Sequence, residues 1–197
     1  EALAYAEQGL AIAPTMGALH ANRQVALHAQ GRADEGVEAG RRAAELRPHD
    51  AAEHSNFLYT LNFHPDYDAD TIFAEHLEWA RRHAEPLTAR AAPHTNDRSP
   101  ERRLRVGYVS PYFRQHAVNF FVEPILASHD HEQFEIFCYA DMLKGDDATA
   151  RLKQAADHWR DVRYATDEAL AEIVRRDQID ILVDLTGHIG GNRMLLF

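Results

Sequence analysis

The chain has 197 residues, 45% hydrophobic and 26% charged, which is enough apolar material for one large or two small cores and too much for a disordered segment. Its 21 basic residues against 31 acidic ones leave a formal charge of -10, which argues against binding nucleic acid by neutralising phosphates. The single cysteine, Cys138, excludes an intrachain disulfide, and no apolar run nears the roughly 18 residues of a membrane span, so the expected setting is reducing and cytoplasmic.

The opening segment, Glu1 to Gln8, has no basic stretch followed by an apolar block, so it is not a secretory signal and reads as the middle of a helix. With no initiating Met and an apolar end at Met194 to Phe197, both ends are expected to be cuts in a longer protein. Pro14 and Pro48 lie 34 residues apart, each after a similar triplet, Ala11-Ile12-Ala13 and Glu45-Leu46-Arg47, which is the tetratricopeptide period. Gly31 separates helical stretches at about 17 to 29 and 34 to 46, with Ala43 where the repeat needs a small residue. One complete repeat therefore spans about 15–48, flanked by a preceding helix at 1 to 12 and by the first helix of an incomplete repeat at 51 to 63. Gln24, Gly36 and Gly40 depart from the repeat pattern. The repeat region is assigned to residues 1–63.

Residues 64–102 read as a capping helix and linker. His64-Pro65-Asp66-Tyr67-Asp68-Ala69-Asp70 breaks the helices, because proline disfavours a helical residue before it. The aspartates there can cap the next helix, a simpler reading than a divalent cation held by Asp-x-Asp. A helix from about 70 to 84 follows, with Ile72, Phe73, Leu77 and Trp79 on its apolar face, and Trp79 is expected to be buried. Pro86, Pro93 and Pro100 mark the crossing into the second half.

From residue 103 the pattern alternates. Strands are expected at Leu104 to Ser110, Phe134 to Ala140, Trp159 to Arg163 and Ile179 to Leu185. Helices are expected at Asn119 to His129, Ala148 to Ala156 and Asp167 to Arg176. Alternation of this kind implies parallel pairing through right-handed crossovers, a Rossmann-like layer that takes ligands beyond the carboxyl ends of its strands. The loop after the first strand lacks Gly-x-Gly-x-x-Gly, which disfavours a dinucleotide enzyme. It offers His116 just before a helix, where a histidine could take a proton from an attacking hydroxyl, although a loop histidine taken alone is more often a capping or surface residue. After the fourth strand comes Asp184-Leu185-Thr186-Gly187-His188-Ile189-Gly190-Gly191-Asn192-Arg193. Its glycines free the backbone for close approach to a ligand, and a following helix would present its amides to an anion; a sharp strand-to-helix turn needs glycines just as much. His129-Asp130-His131 reads as a solvated turn without further zinc ligands, so metal dependence is not indicated.

The order and spacing of Leu61-Asn62-Phe63-His64-Pro65-Asp66-Tyr67-Asp68, Arg105 to Ser110, Phe113-Arg114-Gln115-His116-Ala117-Val118 and Ile181 to Arg193 resemble the O-linked N-acetylglucosamine transferases and their SPINDLY-type relatives, bacterial members above all. Tyr112 departs from that family, which usually has Asp there. The resemblance implies a fold of two parts: the end of a tetratricopeptide α-solenoid, and at 103–197 the first Rossmann-like lobe of a GT-B glycosyltransferase. It implies inverting transfer of N-acetylglucosamine from UDP-GlcNAc to Ser or Thr hydroxyls of an acceptor polypeptide held in the repeat groove, with no metal. His116 would lie in the active site, as a base or an orienting group. Gly187, His188, Gly190, Gly191 and Arg193 would line the substrate side, and most uridine contacts would fall to a second lobe. A fucosyltransferase of the same family and a non-catalytic protein-binding module are the alternatives.

Overall fold

Runs of small residues at helical spacing open the chain, and the computed structural model, which describes residues 1–197, turns them into closely packed helices. Residues 1–90 with 188–190 form one compact unit, and residues 91–187 with 191–197 a second.

In the helical unit, α1 (Ala2–Ile12), α2 (Gly17–His28), α3 (Ala33–Leu46), α4 (Ala51–Leu61) and α5 (Ala69–Trp79) each pack on the next. The bounds of α1 to α4 follow the sequence reading to within a residue or two. Ala26, Leu27, Ala39 and Leu3 form a shared core, and Ala43 is wholly buried, so α2 and α3 can approach closely. Gly31 turns the chain between them at φ +71, a left-handed conformation costly for any residue with a Cβ. Asp50 and Asp68 cap α4 and α5 with side chains that accept backbone N–H groups, and for Asp68 this is the role expected of the acidic run. Helix α5 does not stop at residue 84. A wide π turn, Ala80–Ala84, carries it into α6 (Glu85–Thr88), where Pro86 lacks the N–H that a regular turn would require.

Two departures from the repeat pattern form one device. A Cβ on Gly40 would stand 2.7 Å from the Gln24 side-chain carbon Cδ. That gap admits a buried Gln24, whose amide donates to the Asn56 carbonyl at 2.8 Å and to Thr60 Oγ1 at 2.6 Å. Gly36 is different: an added Cβ would meet nothing nearer than 3.6 Å. Gly36→Ala should therefore stabilise the chain by up to ~1 kcal/mol through helix propensity. Gly40→Ala should displace Gln24 and lower stability by about 1 kcal/mol, because a lost buried hydrogen bond outweighs the same propensity gain. Urea midpoints of the two variants, moving in opposite directions, check this.

Trp79 is 3% exposed and donates through its indole nitrogen to the Ala51 carbonyl at 3.1 Å. His83 and His188 tilt against its ring, His188 also meets His76, and His54 Nδ1 lies 3.2 Å from His83 Nε2. Burial, with His83 and Arg82 nearby, lowers the pKa of His54 to about 4, against a smaller opposing pull from Glu78. Burial, with His76, lowers His188 to about 4, and burial with Arg82 lowers His83 against Asp50. These rings are neutral when folded, while the unfolded chain takes up protons near 6.5. Their contribution to stability is therefore complete above about pH 6.5 and is lost as pH falls towards 4. Thermal midpoints of the chain should fall across that window, and His54→Gln should flatten the dependence.

The second unit is a four-stranded parallel sheet, β1 (Leu104–Ser110), β2 (Phe134–Ala140), β3 (His158–Asp161) and β4 (Ile181–Asp184), in the order β3-β2-β1-β4. Val106 pairs with Ile136 on one side and Ile181 on the other. Helices α7 (Asn119–Ala127), α8 (Asp147–Ala155) and α9 (Asp167–Arg176) cover both faces. Val106, Tyr108, Ile136 and Cys138 pack with Val122, Leu126 and Leu152; Val109, Phe137 and Tyr139 pack with Leu170 and Ile179. Burial on both faces is why β1 and β2 read as continuous apolar runs. At the amino edge, Asp180 accepts both Arg102 guanidinium nitrogens, at 2.5 and 2.6 Å, the Asn96 amide and the Arg105 N–H, which tie the linker to the sheet. No helix of the chain is long and apolar enough to cross a membrane.

Candidate active site

The chain leaves β1 for β2 on one side and returns on the other as β4, so the sheet's winding reverses between β1 and β4. Open α/β sheets take their ligands at such a switch point, beyond the carboxyl ends of the strands. The loops after β1 and β4 meet there.

The first loop is held by polar bonds along its length. Ser110 is fully buried, and its hydroxyl accepts the Tyr112 N–H at 3.0 Å. Phe113 is sunk into the core, and Thr149 on α8 donates to its carbonyl at 2.7 Å. Asp146 caps α8 with one carboxylate oxygen and accepts the Gln115 N–H with the other at 2.8 Å. Buried Asn119, the first residue of α7, donates its side-chain amide to the Tyr112 carbonyl at 3.0 Å and to the Arg114 carbonyl. On this frame His116 is half-buried, with its ring flat on Tyr112, centroids 4.1 Å apart and planes 9° from parallel. Its Nδ1 accepts the Val118 N–H at 3.3 Å. The Arg114 and Gln115 side chains are exposed. An imidazole with one nitrogen engaged and its ring plane fixed can exchange a hydrogen bond with a hydroxyl or phosphate oxygen.

The second loop begins with Asp184, one of whose oxygens accepts the N–H groups of Thr186 and Gly187, while the other is buried without a hydrogen-bond partner. Gly187 at φ +58 and Gly191 at φ +79 are left-handed, and a Cβ on Gly191 would come 3.8 Å from Pro111 of the first loop. Gly190 is exposed with open space about it. Arg193, expected on the substrate side, divides its guanidinium between Asp141 at 2.8 Å and Asp167 at 2.9 Å, so its charge holds the loop to the ends of β2 and α9. After Arg193 the chain turns through a short 3-10 segment, Met194–Leu196. His188 to Gly190 belong with the helical unit, where His188 Nδ1 lies 2.9 Å from Ser55 Oγ.

The remaining histidine clusters are satisfied locally. His129 Nε2 meets the Tyr108 hydroxyl at 2.7 Å, and His131 pairs with Asp157. Asp34, His64 and Asp66 stand close enough to surround a cation. However, His64 Nδ1 accepts the Asp66 N–H at 3.2 Å and Nε2 lies 2.7 Å from Asp34, so both ring nitrogens are already used. The sequence singled out His116 and the glycines as candidates but gave no sign of Asn119, Asp146 and Thr149 as the loop's supports. Asn119 was recognisable only as the start of a helix; its bonds reach back five and seven residues to carbonyls.

Comparison with known proteins agrees with this geometry. A SPINDLY protein of Oryza sativa subsp. japonica, described as a probable UDP-N-acetylglucosamine--peptide N-acetylglucosaminyltransferase, is 32% identical over 162 residues, 80% of this chain and 17% of its own length. The SEC protein of Arabidopsis thaliana, described with the same activity, is 36% identical over 99 residues, 49% of this chain and 10% of its own. A mutant O-GlcNAc transferase of Thermobaculum terrenum superposes with a TM-score of 0.89 at 38% identity, covering 98% of this chain and 37% of that one. The chain thus spans about a sixth of the rice relative. Glycosyl transferase family 41 matches residues 42–197, well over half the chain and the whole of the parallel sheet with its two loops, and the chain belongs to that family.

Proposed function

We propose that this chain is the part of an inverting protein glycosyltransferase that carries the acceptor side of the active site. The reaction moves N-acetylglucosamine from UDP-GlcNAc to a Ser or Thr hydroxyl. The hydroxyl oxygen bonds to the anomeric carbon, the bond from that carbon to the diphosphate oxygen breaks, UDP leaves with the electron pair, and the hydroxyl proton ends in solvent. The observation that carries the reading is the meeting, at the switch point of a family 41 chain, of a rigid loop bearing His116 and a glycine loop built round Gly187 and Gly191.

In this reading His116 faces the reacting hydroxyl, and Gly187 and Gly191 give the sugar close access to backbone. Arg193 keeps the loop in place. Residues 1–63 are the end of a tetratricopeptide solenoid whose groove presents the acceptor polypeptide, 64–102 a cap and linker, and 103–197 the first lobe of a GT-B catalytic region. A second lobe supplies most donor contacts, and the enzyme works in the cytoplasm.

The longer enzyme should transfer radiolabelled sugar from UDP-GlcNAc to a Ser/Thr peptide, whereas the 197-residue chain alone should transfer none, because a two-lobe reaction needs both reactants held together. His116→Ala in the longer enzyme should lower turnover by about a hundredfold with little change in thermal midpoint. Near-normal turnover in that variant would remove His116 from the site.

A further inference from the structure

A histidine can serve a hydroxyl in two opposite ways, and the proton's place on the ring decides which. A backbone N–H can only donate. The Val118 N–H directed at His116 Nδ1 at 3.3 Å therefore requires a lone pair there, and the neutral ring must carry its hydrogen on Nε2. For Nε2 to accept a proton, the hydrogen would first have to move to Nδ1, where it would face the Val118 N–H. A ring flip would relieve that conflict, but Tyr112 lies against the whole face of the imidazole, and the Tyr112 backbone is itself pinned by Ser110 and Asn119. No other side chain of the chain bonds Nε2, which leaves its N–H for whatever enters beside the half-buried ring.

We infer that His116 meets its substrate as a hydrogen-bond donor through Nε2–H rather than as a proton acceptor, and that Tyr112, standing where the family usually has Asp, is the residue that positions it. This rests on the reading of His116 as a group facing substrate, and it sharpens that reading. The partner is an oxygen lone pair, of the acceptor hydroxyl or of the donor's diphosphate. The hydroxyl proton leaves to a group other than this ring. Nothing about the ring's charge need change in the reaction, and the donor's worth lies in holding an oxygen in place.

The proton's place can be read without activity. Long-range nitrogen–proton correlation spectra of the 197-residue chain, with His116 assigned by its absence in His116→Gln, should show a pyrrole-like Nε2 and a pyridine-like Nδ1. The reverse pattern overturns the inference, whatever the enzyme turns out to transfer. Tyr112→Phe should keep the pattern, and Tyr112→Ala should let the two tautomers mix; an unchanged Tyr112→Ala spectrum removes Tyr112 as the positioning group. In the longer enzyme, Gln can place an amide N–H near the position of Nε2, whereas Ala cannot. His116→Gln should therefore recover at least about tenfold of the turnover that His116→Ala loses. A loss felt mainly in the KM for peptide identifies the hydroxyl as partner, and one felt mainly in the KM for UDP-GlcNAc identifies the diphosphate. Glutamine no better than alanine overturns the donor role even if sugar transfer itself is confirmed.

Discussion

One strand fixes the α/β unit. β1 pairs in parallel with β2 on one side and β4 on the other, and Val106 to Ser110 are buried on both faces, so its carboxyl end is rigid and its flanking loops are forced together. Gly107 in its middle shows how tight the fit is: a Cβ there would stand 2.9 Å from the Tyr139 ring and 3.0 Å from Leu182. The Tyr139 hydroxyl in turn bonds Asp177, which Arg160 neutralises, so even the polar end of that core residue is satisfied. Moving β1 would disturb both cores at once. The loop after it inherits that rigidity, and the bonds from Ser110, Asn119, Asp146 and Thr149 extend it to His116.

The helical unit follows a different logic. Its helices meet through alanines and glycines, and where the sequence departs from a simple repeat, a specific side chain fills the space, as Gln24 does beside Gly40. Around Trp79 the unit buries His54, His83 and His188, and burial with neighbouring positive groups holds their pKa values down, which links its stability to pH.

Much of this was legible from sequence because the patterns are local. β1 and β2 fall on the predicted residues 104–110 and 134–140, since apolar runs of that length bounded by polar residues admit few other readings. Asp68 was expected to cap, and it caps. What escaped is what tertiary structure decides. Helix α5 passes residue 84 because a π turn absorbs Pro86, and a proline signal alone cannot announce that accommodation. The two carboxylates that hold Arg193 lie 52 and 26 residues away, so its ion pairs could not be read from spacing. His116 was visible as a histidine in the loop after the first strand, but its tautomer depends on the Val118 amide and its plane on Tyr112, and neither follows from spacing.

The central claim is that the meeting of the two loops at the switch point is functional rather than merely structural. Gly31 and Gly191 give a matched pair for testing it. Both are left-handed, at φ +71 and +79, and neither meets a close contact, with Pro111 at 3.8 Å nearest to Gly191. Alanine should cost each site a similar 1–2 kcal/mol, roughly the strain of that conformation. The measurement is sugar transfer by the longer enzyme carrying Gly31→Ala or Gly191→Ala, normalised to folded protein. The account predicts that Gly191→Ala loses at least about tenfold in turnover while Gly31→Ala keeps the wild-type rate, since only the first moves the loop that we propose lines the substrate. Equal rates in the two variants would contradict it.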